Sequence, residues 1–181
     1  MRHIQTLGRG ARIAFVPTSS PRALILYRRI VSVPALMSSG MRTTLKNPYG
    51  VINRSRVMLI NGTLDPINPY HSGIVTLFGF ASRGAVMSSM ASAQHFAARN
   101  RITDPPIREQ LPKGFSDDPT SVESLSWQAS GKPVCSLYIV RGGGHVIPQR
   151  PYRFPRLLGR TTSALDAPRE AIRFFEYNSF M

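Results

Sequence analysis

Two ionisable side chains in this sequence stand just past the ends of short apolar runs, an aspartate first and a histidine well downstream. Val57-Met58-Leu59-Ile60 leads through Asn61-Gly62-Thr63-Leu64 to Asp65, with Pro66 and Pro69 close behind. Four apolar residues closed off by Asn-Gly and prolines predict a short strand, buried on both faces, that ends in a turn. The second run, Val134-Cys135-Ser136-Leu137-Tyr138-Ile139-Val140, enters Arg141-Gly142-Gly143-Gly144 and then His145. Its β-branched and aromatic residues predict another buried strand. Glycines before the imidazole allow backbone conformations closed to other residues and let other groups approach closely. Side chains at the C-terminal ends of strands in an α/β sheet are held by a rigid frame yet stay accessible. A carboxylate and an imidazole placed in this way could act as an orienting acid and a general base. The plainer alternative for Asp65 is a turn cap, since Asp before Pro often serves as one. For a lone histidine the plainer alternative is a structural or exposed role.

The residues around the two positions carry a family resemblance. Gly62-Thr63-Leu64-Asp65-Pro66-Ile67-Asn68-Pro69-Tyr70 and Gly142-Gly143-Gly144-His145-Val146-Ile147-Pro148 resemble the acid and histidine motifs of the polyhydroxybutyrate depolymerase and feruloyl-esterase-like branch of the α/β-hydrolase superfamily. Trp127, after an acidic loop, and Ala171-Ile172-Arg173-Phe174-Phe175 near the end are similar to that branch as well. The likeness runs from Asn47 to Phe180, about three quarters of the chain. It departs after the histidine, where the family more often has Thr-Trp-Pro-Gly and this chain has Val146-Ile147-Pro148-Gln149. The resemblance implies a serine carboxylic-ester hydrolase in which Asp65 orients His145 and His145 is the base. It implies an ester substrate, polyester or aryl ester, no cofactor, and a secreted or periplasmic intact protein. The fold it implies is α/β: the C-terminal portion of a hydrolase fold, a mostly parallel sheet flanked by helices, with the N-terminal half missing.

A serine nucleophile in that fold sits on a Gly-x-Ser-x-Gly elbow, whose glycines permit a crowded bend between strand and helix. Ser19 follows a possible strand, Ala11 to Val16, but Pro17 and Pro21 stand where the glycines belong. Proline carries a ring where the elbow needs no side chain. Gly79-Phe80-Ala81-Ser82-Arg83-Gly84 has the wrong spacing, and Ser38-Ser39-Gly40 lacks the preceding glycine. The expectation is therefore a truncated chain with Asp65 and His145 but no nucleophile of its own. A second reading of a different class is a non-catalytic remnant or binding module.

Composition divides the 181 residues unevenly. Residues 1–64 hold ten Lys or Arg and no acid, while residues 65–181 hold thirteen basic and nine acidic residues; the charges of +10 and +4 add to the net +14. An acid-free basic segment suits nucleic acid, an anionic surface or a transit peptide. Arg outnumbers Lys twenty to three, a bias that a misplaced start or shifted frame in a GC-rich gene also yields. Residues 1–36 are thus set apart as a basic, poorly matched segment, and 37–181 as the hydrolase-like part. Nucleic-acid binding is not expected, because stacking aromatics are sparse in the basic third. No apolar run approaches the roughly 18 residues a bilayer crossing needs, so no membrane span is expected. No His or Cys cluster has metal spacing, and Cys135 reads as a small core residue.

Further elements complete the expected frame. Val86 to Asn100 has helical spacing, with Val86, Met87, Met90, Ala93 and Ala97 as its apolar face. Residues 101–119 read as a surface excursion and Thr120 to Trp127 as a strand, with Trp127 packed rather than lining a cleft. Asp166 reads as an N-cap, Pro168 as a first-turn residue, and Ile172 and Phe175 as the face that packs the last helix. His95 lacks a second ligand at a useful spacing and is expected to be a surface or structural residue. A half-sheet exposes an unpaired strand edge, which predicts self-association.

Overall fold

The computed structural model describes residues 56–80, 84–149, 152 and 154–177. Ser19, the possible strand from Ala11 to Val16 and the whole basic segment 1–36 lie outside them.

The described chain is mixed α/β. Strands β1 (Val57–Gly62), β4 (Ile107–Gln110), β5 (Ser121–Trp127) and β6 (Cys135–Arg141) form one sheet in the order β1-β6-β5-β4. A separate two-stranded piece pairs β2 (Gly73–Ile74) with β3 (Ala85–Val86). The expectation of a mostly parallel sheet is met in part, for the sheet of the described residues is mixed. Only β1 and β6 run parallel, in register from Val57 opposite Cys135 to Gly62 opposite Val140. β5 pairs antiparallel with both β6 and β4. The reason is the short connection at Gly131-Lys132-Pro133, which returns the chain directly from β5 to β6 as a hairpin; a parallel neighbour needs a longer crossover. β1 and β6 are joined by such a crossover, and it contains helix α1 (Ser89–Arg99).

Both faces of β6 are covered, which explains its unbroken apolar run. Cys135, Leu137 and Ile139 face a cluster with Leu59, Leu125, Trp127 and the α1 residues Ala93, Phe96 and Ala97. Tyr138 and Val140 face a second cluster with Met58, Val122 and, from helix α2 (Ala167–Tyr177), Ala171, Phe174 and Phe175. Trp127 is packed in the first cluster. The lone thiol of Cys135 is pushed up by burial to about 12 and donates a weak bond to the Ala93 carbonyl.

Helix α1 is shorter than its periodicity suggests. Ser88 caps it, its Oγ accepting from Ala91 N–H at 3.1 Å, and Val86 belongs to β3 instead. The far end closes with Arg101 N–H donating to Ala98 O and Ile102 N–H to Ala97 O. This is a Schellman closure built on Arg101 at φ 60° rather than on glycine. His95 is exposed on this helix. In α2, Asp166 Oδ1 accepts from Arg169 N–H, as an N-cap should. The packed stripe is Ala167, Ala171, Phe174 and Phe175, whereas Ile172 is 46% exposed. Ile172 therefore does not pack the helix on the sheet.

The stretch 101–119 is not wholly an excursion, for it contains β4. All four residues of β4 are exposed, so the strand has no apolar alternation by which it could be read; its charged side chains suit a sheet edge.

Candidate functional site

Parallel pairing brings the ends of β1 and β6 side by side, and with them the two loops that carry the ionisable residues. Thr63 N–H donates to Val140 O at 3.0 Å and Leu64 N–H to Gly143 O at 2.9 Å, so the loop after β1 is zipped onto the loop after β6. The Thr63 hydroxyl accepts from Gly142 N–H at 2.9 Å. Gly142 turns the chain at φ 74°, a left-handed conformation that favours glycine.

The other glycines serve close approach. A Cβ on Gly62 would lie 2.3 Å from Gly143 O, and one on Gly144 would lie 2.1 Å from Leu158 O and 2.5 Å from the Gly159 Cα. Space for that contact lets a third segment brace the histidine. His145 N–H donates to Leu158 O at 2.6 Å, and Gly144 N–H donates to Arg160 O at 2.8 Å. The 3-10 turn Arg156–Leu158 and the residues just after it thus hold the backbone of Gly144 and His145.

Asp65 and His145, eighty residues apart, meet: Asp65 Oδ2 lies 2.9 Å from His145 Nδ1. Their side chains are 7% and 8% exposed. Asp65 Oδ1 accepts from Ile67 N–H and Asn68 N–H, each at 2.8 Å. The carboxylate therefore both caps its turn and reaches the imidazole, one oxygen for each task. An ionised carboxylate only accepts, so Nδ1 carries the hydrogen and Nε2 is left with its lone pair. Among the described residues Nε2 has no hydrogen-bond partner. The arrangement can orient a neutral imidazole and stabilise its cation after it takes a proton.

The remaining histidines of the described chain are elsewhere. His71 is exposed with its ring edge against Tyr70, and His95 lies against Phe96. No group of three or more His, Cys, Asp or Glu among the described residues could hold a metal ion. No described helix is long and apolar enough to cross a membrane.

Sequence reasoning missed Thr63 and the Leu158–Arg160 brace. Thr63 had a signal in its position two residues before the acid; the brace had none, being a backbone contact from a loop of unrelated composition. A third omission is Glu123, which is 5% exposed. It shares a strand face with Leu125 and Trp127, and an acid in line with two core residues marks a buried charge that needs partners. Those partners are Arg108 and Arg141. Compared with protein-family models, with curated proteins and with solved structures, the chain finds no match.

Proposed function

We propose that this chain carries the acid–base part of a serine carboxylic-ester hydrolase of the α/β-hydrolase type, related in kind to the polyhydroxybutyrate depolymerase-like esterases. The observation that carries the reading is the buried Asp65 Oδ2–His145 Nδ1 contact of 2.9 Å with Nε2 left unpartnered among the described residues. Nε2 takes the proton from a serine hydroxyl as its oxygen attacks the ester carbonyl. The imidazolium formed is stabilised by Asp65 and returns the proton to the departing alcohol; a water, deprotonated at the same nitrogen, then releases the acid. The C-terminal ends of the parallel β1–β6 pair are where such a fold collects its catalytic side chains.

In the esterase reading the nucleophile and its oxyanion hole belong to residues of this chain outside the described set. The absence of a described hydrogen-bond partner at Nε2 favours one other reading, a hydrolase-like module that has lost its nucleophile and does not turn over. Incubation with a fluorophosphonate probe, followed by intact-mass analysis and peptide mapping, separates the two. A stoichiometric serine adduct that disappears in His145→Ala supports the esterase. An unmodified chain with normal circular dichroism supports the non-catalytic module.

A further inference from the structure

Strands β4, β5 and β6 carry a set of charged side chains that the proton-transfer chemistry does not use. Glu123, on β5, is 5% exposed. One of its oxygens accepts from Arg108 Nη1 on β4 and the other from Arg141 Nη2 on β6 at 2.7 Å. Both carboxylate oxygens are thereby occupied, and the trio keeps a net charge of about +1 at neutral pH, arginine being always protonated. The side chains of Arg108 and Arg141 remain 62% and 57% exposed. Each guanidinium has further N–H donors, and its position is fixed by the buried carboxylate rather than left to free rotation. Two braced guanidinium groups with spare donors are what a planar carboxylate requires of a receptor.

The position of the trio ties it to the candidate site. Arg141 is the last residue of β6 and is separated from His145 only by Gly142-Gly143-Gly144. The Gly142 N–H bond to the Thr63 hydroxyl fixes that turn against the loop that carries Asp65. From the same loop, Tyr70 packs on the α1 side of the sheet. Burial raises its phenol, with Arg141, Glu123 and Arg108 all acting on it electrostatically. The strand register adds a neutral donor. Asn61 aligns with Ile139 and Ile139 with Glu123, so these side chains project from one face of the sheet. Asn61 is 6% exposed, and its Nδ2 has no partner among the described residues.

We propose that Arg141 and Arg108, braced by Glu123, form an anion subsite for a second carboxylate on the substrate, so that the ester taken is a half-ester whose other end is a free acid. The inference rests on the esterase reading for the identity of the bond cleaved, but the binding it describes does not need a nucleophile. The bound carboxylate forms charge-assisted hydrogen bonds with both guanidinium groups, and the ester end extends along the Arg141–His145 turn toward Nε2 of His145. A neutral diester lacks the anion, and a longer acyl end without a terminal acid gains nothing from the arginines.

The test titrates the full 181-residue chain with monomethyl adipate and, separately, with dimethyl adipate, following binding by calorimetry at low salt. The monoester is expected to bind at least tenfold more tightly. Arg141→Gln should bring the two ligands within about twofold of each other, and Arg108→Gln should erode the preference by a smaller factor. Equal affinity for the two ligands in the unsubstituted chain, or no detectable binding of either, overturns the proposal without any variant having to fold. A preference that survives in both arginine variants overturns it too. His145→Ala distinguishes this proposal from the esterase reading, since it should remove reaction with a fluorophosphonate while leaving the monoester preference in place. A chain that discriminates but never reacts fails the esterase reading alone; one that reacts without discriminating fails the anion subsite alone.

Discussion

Asp65 and Asp118 both turn one oxygen onto backbone donors just ahead of them in the chain, and they differ in what holds the other. Asp65 Oδ1 takes Ile67 and Asn68 N–H and leaves Oδ2 for the His145 ring. Asp118 Oδ1 takes the N–H and hydroxyl of Thr120, while Oδ2 takes the N–H of Ser163 at 2.6 Å and also its hydroxyl. Burial alone would raise the Asp118 carboxyl, but the bonds from Ser163 and Thr120 outweigh it and bring it down to about 2. One aspartate is thus a latch between the 111–120 loop and the segment leading to α2. The other spends half its bonding capacity on the same kind of turn and keeps half for an imidazole. A turn motif alone does not separate a structural acid from a chemical one; the partner of the second oxygen does.

The sharpest way to divide the two roles of Asp65 is Asp65→Asn. The retained Oδ1 still caps the turn, so unfolding free energy should fall by no more than about 1 kcal/mol, the ordinary size of one altered hydrogen bond. The side-chain amide would instead donate toward Nδ1 and favour the wrong tautomer. In any preparation that reacts with a fluorophosphonate, ester turnover should then drop on the order of 10⁴-fold. Asp118→Asn in the same preparation should leave turnover within about twofold. Equal losses in the two variants would show that the difference in partners has no chemical meaning.

Gly144→Ala probes the brace behind His145 without touching either carboxylate. The added Cβ would fall 2.1 Å from Leu158 O, a contact with backbone that cannot be relieved by rotating a side chain. A cost of about 3 kcal/mol or more is expected, in the range of severe overpacking, visible as a lower urea midpoint. An unchanged midpoint would mean that the loop is free to move away from the 3-10 turn.

The Asp118 latch should show itself in acid. Its folded carboxyl, at about 2 against an ordinary 3.8, binds its proton less readily than the unfolded one. The unfolded chain therefore takes up more protons between those values, and stability rises with pH across that window. The contribution is full above about pH 4 and is lost as pH falls toward 2. Asp118→Ala should cost about 1–2 kcal/mol at neutral pH through its lost hydrogen bonds and should flatten the acid limb of a stability-against-pH curve. An acid limb identical to that of the unsubstituted chain would remove Asp118 as its source.

How far these features could be read from residues alone depends on whether the signal was local. β1, β5 and β6 announce themselves by apolar runs and alternation, and the strand–loop–acid and strand–glycine–histidine patterns give both members of the pair. Their meeting rests on a parallel pairing that no local pattern encodes. The triple glycine was legible as a hinge, but its division of labour was not: Gly142 is needed for its φ and Gly144 for a contact that comes from residues 158 and 159. β4 was invisible because a strand exposed along its whole length has no pattern of burial to reveal it. The mixed sheet follows from the hairpin at Gly131-Lys132-Pro133, whose effect on strand direction no apolar pattern in β5 or β6 carries.

Helix α2 is the place where local pattern was misread, and it offers the mildest test. Spacing of three puts Ile172 and Phe175 on one stripe, but Ala167, Ala171, Phe174 and Phe175 satisfy helical periodicity equally well, at intervals of four and three. The structure takes the second set and leaves Ile172 46% exposed. Two adjacent phenylalanines cannot both join a stripe centred on Ile172, and burying both gains more apolar area than burying one phenylalanine and an isoleucine. Ile172→Ala should accordingly change unfolding free energy by no more than about 0.5 kcal/mol. A loss of several times that would mean that the helix packs in the rotation its sequence first suggests.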